Sequence, residues 1–178
     1  MPVAVGFAGA LVLWAVMFNI DRCAFWPMMT AATALLGAWA LVNEPTLRLP
    51  PRKLPRAVLT GASSALALYI IFLLGGLAVR RFPGLEKGVE SVYSLREGAP
   101  TGWIGLSLLF PIAPGEELFW RGLVQGRLDR ILGGYSAVAA AAVLYAAVHI
   151  VTLNPILVIA ALVSGLFWGC LLYTSDAA

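Results

Sequence analysis

The chain has 178 residues, of which 61% are hydrophobic and only 12% charged, where a soluble domain carries about 25% charged residues. Its mean hydropathy is +0.89, and apolar runs long enough to cross a bilayer recur along it, which excludes an ordinary soluble enzyme. The alternating segments of a transmembrane β-barrel are missing, so the fold class is all-α, a polytopic transmembrane bundle of about six membrane-embedded helices.

The first apolar run, about Val3–Ile20, has no basic leader and no clear small-residue cleavage site before the next span. It reads as a retained helix rather than a signal peptide. Asp21-Arg22 turn the chain into a second span, about Cys23–Val42. A linker follows, NEPTLRLPPRKLPR (43–56), rich in proline and basic residues. The third span is about Ala57–Val79. The linker 80–100 mixes both charge signs and holds a short surface helix around Gly84–Leu95. The fourth span starts near Thr101, a candidate cap. Pro111 and Pro114 predict a kink or break in it before Glu116. A charged helical segment, Glu116–Leu132, ends at Gly133-Gly134. The fifth span is about Tyr135–Ile150, and Asn154-Pro155 open the sixth, to about Tyr173. No repeat is visible. Residues 1–90 form N-terminal transmembrane helices with linkers, and 91–169 a distinct core.

Net charge is +3. With the N-terminus inside, inner loops hold Arg48, Arg52, Lys53, Arg56, Arg121, Arg127 and Arg130, and outer loops hold Arg22, Arg80, Arg81, Lys87 and Arg96. That is a slight bias to a cytoplasmic N-terminus. The charges read as topology and not as a nucleic-acid surface. Cys23 and Cys170 sit in apolar surroundings and read as small buried residues.

The stretch PGEELFWRGL (114–123) places two carboxylates and an arginine in this apolar chain. Charges at membrane depth cost several kcal/mol and therefore face a bundle interior or a wet cavity. On a helix Glu117 and Arg121 are four apart and can pair. Glu116 lies roughly 100° around the helix from Glu117, with Trp120 four residues on, and remains a candidate general base. A plain helix end in water explains the same three charges.

His149 is the single histidine, in the apolar run AAAAVLYAAVHIV. Such a residue is often only a satisfied core histidine, yet ionisable groups inside membranes are functional candidates. Tyr145, one turn earlier, can pack on the ring or orient it. Counted from Gly133, Glu116 is 17 residues one way and His149 is 16 the other. At about 1.5 Å per residue an antiparallel hairpin brings the two to similar depth. A carboxylate that activates water and an imidazole that donates to an oxyanion, or moves the proton, suffice for amide hydrolysis. The chain has no HExxH and no second histidine, which disfavours a zinc protease. It has no GxSxG, which disfavours a serine hydrolase. No cofactor and no metal are expected. A transporter would use the same buried charges, but shows inverted repeats in many folds.

EELFWRG (116–122), YAAVH (145–149) and NPILVIAALVSGLFWG (154–169) together resemble the CPBP family, the type 2 CAAX prenyl proteases and bacteriocin-processing or immunity membrane proteins. The EExxxR motif is matched by Glu116, Glu117 and Arg121. The FxxxH motif is matched by Tyr145 and His149, with tyrosine in place of phenylalanine. The resemblance implies a glutamate-type intramembrane endopeptidase. Glu116 would activate water, Glu117 and Arg121 would shape the site, and His149 would assist or stabilise the oxyanion. Trp120 and Tyr145 would bind substrate or pack the site. The partners implied are the lipid bilayer and a membrane-associated or lipid-modified peptide, and the location a bacterial inner membrane. The alternative is a non-catalytic immunity or scaffold protein that binds a partner helix. The family's further motif, a second histidine with an asparagine four residues on, has no counterpart after His149. This chain alone is therefore expected to be inactive. The last nine residues, CLLYTSDAA (170–178), read back into codons compatible with the transposase end used in sequencing libraries. The expectation is a non-native tail on a reading frame cut short after Gly169. An ordinary helix end with a polar tail fits the same residues.

Overall fold

The structure, a computed structural model, describes residues 1–19, 24–47, 54–79 and 81–176; at 54–57, 83 and 174–176 it describes the backbone alone. Seven helical elements follow one another, with no strand among the described residues. Helices are the expected solution, because an apolar segment in lipid must satisfy its backbone polar groups internally. They are α1 (Pro2–Asn19), α2 (Phe25–Asn43), α3 (Leu54–Val79), α4 (Pro83–Ser94), a long composite α5 starting at Thr101 and ending at Leu132, α6 (Gly134–Val148) and α7 (Pro155–Asp176). The chain is an integral membrane protein with an all-α bundle. Asp21-Arg22, Cys23 and most of the basic part of the 43–56 linker lie outside the described residues. Cys170 is half-buried.

Five helices are long and apolar enough to cross a membrane: Pro2–Asn19, Phe25–Asn43, Val58–Val79, Gly134–Thr152 and Pro155–Tyr173. The expected fourth span is the one that departs from this pattern. It forms as α5, but charged side chains crowd its second half, and its first half is largely exposed, at Trp103, Leu106, Leu109 and Phe110. Its interior face buries Phe119, Trp120, Arg121, Leu123, Val124 and Gln125. It packs on α2, α6 and α7.

Of the kink or break expected at Pro111 and Pro114, the break does not occur and the helix runs on. The backbone of α5 widens into π-helix at Leu108–Ile112 and again at Glu117–Gln125, with α-helix at Thr101–Ser107, Ala113–Glu116 and Gly126–Leu132. The amide of Ala113 bonds Leu108 O, five residues back. A proline lacks an N–H and crowds the carbonyl four residues earlier. The wider π turn absorbs both problems without ending the helix. Thr101 is the first helical residue and makes no side-chain cap; Pro100 holds the cap position.

α1 and α2 each contribute one stripe to the core. On α1 the buried residues are Gly6, Ala10, Trp14 and Met17, at the spacing of one helix face. On α2 they include Ala32, Thr33, Leu36, Gly37 and Ala40. Gly115 lets α5 approach α2: a Cβ there would lie 2.3 Å from Thr33 O. The turn between α5 and α6 uses Gly133 at φ +70° and Gly134 at φ +53°, backbone that costs a side-chain-bearing residue free energy. The Asp129 carboxylate accepts a hydrogen bond from Gly134 N at 2.9 Å. α6 and α7 share the most extensive contact of the bundle. α4 lies against α7, where Asn154 Nδ2 donates to Gly88 O at 2.9 Å. In contrast, only 6% of the α3 span is buried.

Beyond the end of α2, Glu44 ties that helix to α5. Its carboxylate meets Arg130 at 2.9 Å and Arg127 at 3.5 Å, and accepts from Thr46 Oγ1 at 2.9 Å. The Arg130 hydrogen bond, then that of Thr46, holds the Glu44 carboxyl below its ordinary value.

Candidate active site

The α5–α6 hairpin brings Glu116 and the His149 end of α6 into one cluster, and Tyr145 stands between them. The Tyr145 hydroxyl donates to Glu116 Oε2 at 2.8 Å. Its backbone carbonyl accepts from His149 Nδ1, also at 2.8 Å. Its ring meets the imidazole edge-on, 5.0 Å between centroids at 84°. Glu116 and His149 make no hydrogen bond to each other, so the direct meeting suggested by equal depth is replaced by a link through tyrosine. Among the described residues the second oxygen of Glu116, Oε1, has no hydrogen-bond partner, and the side chain is partly exposed.

Glu117 and Arg121 pair at 3.4 Å, with Arg121 6% exposed and Glu117 46%. The arginine is the anchored member. It donates to Ser164 O on α7 at 3.1 Å, and its guanidinium lies 5.1 Å from the Tyr145 ring centroid. Trp120 packs on Tyr145 from another side, at 5.1 Å. The tyrosine ring is thus held by a cation and an indole, each contact worth of order 1 kcal/mol. The buried indole N–H of Trp120 has no partner among the described residues. Gln125, one turn after Arg121, donates to Gly169 O at 3.1 Å, so α5 grips α7 at two levels.

Two participants are absent from the motifs. Ser164 contributes a carbonyl, which no side-chain pattern announces. Trp14 comes from α1, and its Nε1–H donates to His149 Nε2 at 3.2 Å. The one available signal for Trp14 was general: a tryptophan deep in an apolar helix needs a partner for its N–H.

Indole is a donor only, and a backbone carbonyl is an acceptor only. The two contacts of His149 therefore agree on one tautomer, with the proton on Nδ1 and the lone pair of Nε2 facing Trp14. In this arrangement the ring has no N–H to offer a developing oxyanion. Among the described residues no three His, Cys, Asp or Glu side chains gather where they could hold a metal ion.

Residues 98–177 match the family model described as type II CAAX prenyl endopeptidase Rce1-like. This segment belongs to that family. The match contains Glu116, Glu117, Arg121, Tyr145 and His149, and leaves α1 to α4 and Trp14 outside it. No curated protein and no solved structure matches the chain. The match points to the kind of chemistry of a CAAX-type membrane endopeptidase.

Proposed function

We propose that the chain carries the site of a glutamate-type intramembrane endopeptidase in which Glu116 is the general base. The supporting observation is the Glu116 carboxylate: Oε2 accepts from the Tyr145 hydroxyl, and the side chain is partly exposed, which leaves Oε1 as the oxygen to take a water. Held in this way, Oε1 takes a proton as the water oxygen attacks a peptide carbonyl, and the same proton then passes to the leaving amine. Glu117 and Arg121 position the helix turn and the tyrosine. His149 assists only after its Nε2 is released from Trp14, because both ring nitrogens are otherwise engaged. The substrate class that fits is a peptide presented at the bilayer, membrane-associated or lipid-modified, and the membrane is the inner membrane of a bacterium.

The 178 residues contain no second histidine, and the resemblance implies one. Turnover by this chain is therefore expected to be slow or absent. The test is long incubation of the reconstituted protein with a quenched-fluorescence peptide carrying a membrane anchor, beside Glu116→Ala. Slow cleavage that disappears in Glu116→Ala supports the assignment. Cleavage that survives the substitution refutes it. The second reading is a non-catalytic immunity or scaffold protein that binds a partner helix; absence of cleavage by the unsubstituted chain is expected under both readings and does not by itself favour it.

A further inference from the structure

We infer that Trp14 is a positioning residue for His149, fixing the tautomer and orientation of the imidazole from a helix outside the family match. The inference rests on the reading of His149 as part of the peptidase site. Trp14 is fully buried, and its one polar atom is spent on His149 across 135 residues of sequence. A phenylalanine or leucine would fill a lipid-facing or core position as well without an N–H to satisfy. In a core of this depth an unpaired donor costs several kcal/mol, so the indole holds its acceptor firmly.

The geometry is doubly determined. Nδ1 is fixed by the carbonyl of Tyr145, one turn back on its own helix. Nε2 is fixed by Trp14, whose ring stands nearly perpendicular to the imidazole, 5.9 Å between centroids at 79°. Either contact alone allows the ring to rotate about its remaining bonds; together they set it. α1 packs on the short 3-10 turn His149–Thr152, so the indole arrives on the same surface that carries the histidine. With α1 docked, His149 is an acceptor at Nε2. It becomes a donor at that nitrogen only when α1 moves the indole away. The N-terminal helices therefore belong to the site and are more than a membrane anchor for residues 98–177.

The experiment is nitrogen NMR of the whole chain in lipid nanodiscs, labelled with ¹⁵N at tryptophan and histidine. His149 is the single histidine, so its ring yields one pair of signals. The expected spectrum has a protonated Nδ1, a bare Nε2, and a scalar coupling across the hydrogen bond from Nε2 to one indole nitrogen. Replacing Trp14 by 3-benzothienylalanine keeps the bicyclic shape and removes the N–H. That variant should lose the coupling and shift the Nε2 signal toward free imidazole while Nδ1 stays in place. The inference is overturned by a proton on Nε2 in the unsubstituted protein, by absence of the coupling, or by an Nε2 signal that the replacement leaves unmoved. These signals need no turnover. If cleavage survives Glu116→Ala, the proposed function fails while the spectrum still decides the role of Trp14.

Discussion

Gly115→Ala adds one methyl group between α2 and α5. The new Cβ would lie 2.3 Å from Thr33 O, 2.7 Å from its carbonyl carbon and 3.2 Å from its Cβ, where ordinary contact begins at 3.4 Å. The first two atoms belong to the backbone of α2 and cannot rotate away, so the helices must part by more than roughly 1 Å. Overpacking of this kind costs about 1–3 kcal/mol, and rigid neighbours favour the upper end. The gain in helix propensity from glycine to alanine, up to about 1 kcal/mol, offsets part of it. The net expectation is a loss of about 2 kcal/mol, or roughly 4–8 °C in Tm for a chain of this length. Glu116 is the next residue, so separation also strains its 2.8 Å bond to Tyr145. Thermal unfolding in detergent, followed by tryptophan fluorescence, measures the change. Gly61→Ala is the matched control, since a Cβ there meets nothing within 4 Å; it should be neutral or slightly stabilising. Equal stability of Gly115→Ala and wild type would refute the close-packing argument.

Three further outcomes are expected. Tyr145→Phe should keep the fold and cost about 1–2 kcal/mol, the worth of a hydrogen bond to a carboxylate. A double-mutant cycle with Glu116→Ala should give a coupling of at least about 0.5 kcal/mol, and a coupling of zero in that unfolding cycle removes the proposed link. Arg121→Lys should be destabilising by about 1–3 kcal/mol, because lysine cannot reach Glu117 and Ser164 O together while stacking on Tyr145; a silent substitution in the same melt contradicts this. The lowered Glu44 carboxyl supplies stability that is full above pH 4.5, its ordinary value, and is lost as pH falls through the lowered one. Glu44→Gln should therefore be less stable than wild type near neutrality and converge with it in acid, which an unfolding series across pH will show.

The helices were legible because apolar length and glycine or proline punctuation are local properties. Gly133-Gly134 ends α5 as read, and the surface helix after residue 80 lies within a residue of its expected bounds. Pro111 was read as a kink or a break; the helix does not break there but widens into a π turn, an accommodation that local sequence does not single out. Around Pro111 the helix packs on α2, while Leu108, Leu109 and Phe110 are exposed. Motif spacing picked out Glu116, Tyr145 and His149, since each lies on one hairpin whose turn was visible. Trp14 was not legible. It is one of six tryptophans, and nothing local distinguishes the one that meets His149. Only tertiary packing of α1 on the turn after α6 selects it.

Tyr145 carries more of the arrangement than its place in a motif suggests. The FxxxH pattern has phenylalanine there, and a phenylalanine would still pack on His149 and Trp120. What it would lack is the hydroxyl, the group that touches Glu116. The four-residue spacing to His149 is one helical turn, so a single residue gives its hydroxyl to the carboxylate and its carbonyl to the imidazole. Trp120 on one side and Arg121 on another leave the phenol little freedom to point elsewhere. Arg121 is itself held by α7, and the imidazole by α1. A displacement of either flanking helix therefore reaches Glu116 through the same ring. In this chain the proposed base, the histidine and the helices that position them are connected through one side chain that the motif would allow to be inert. Restoring phenylalanine at position 145 is thus the smallest change that separates the packing role of this residue from its hydrogen-bonding role.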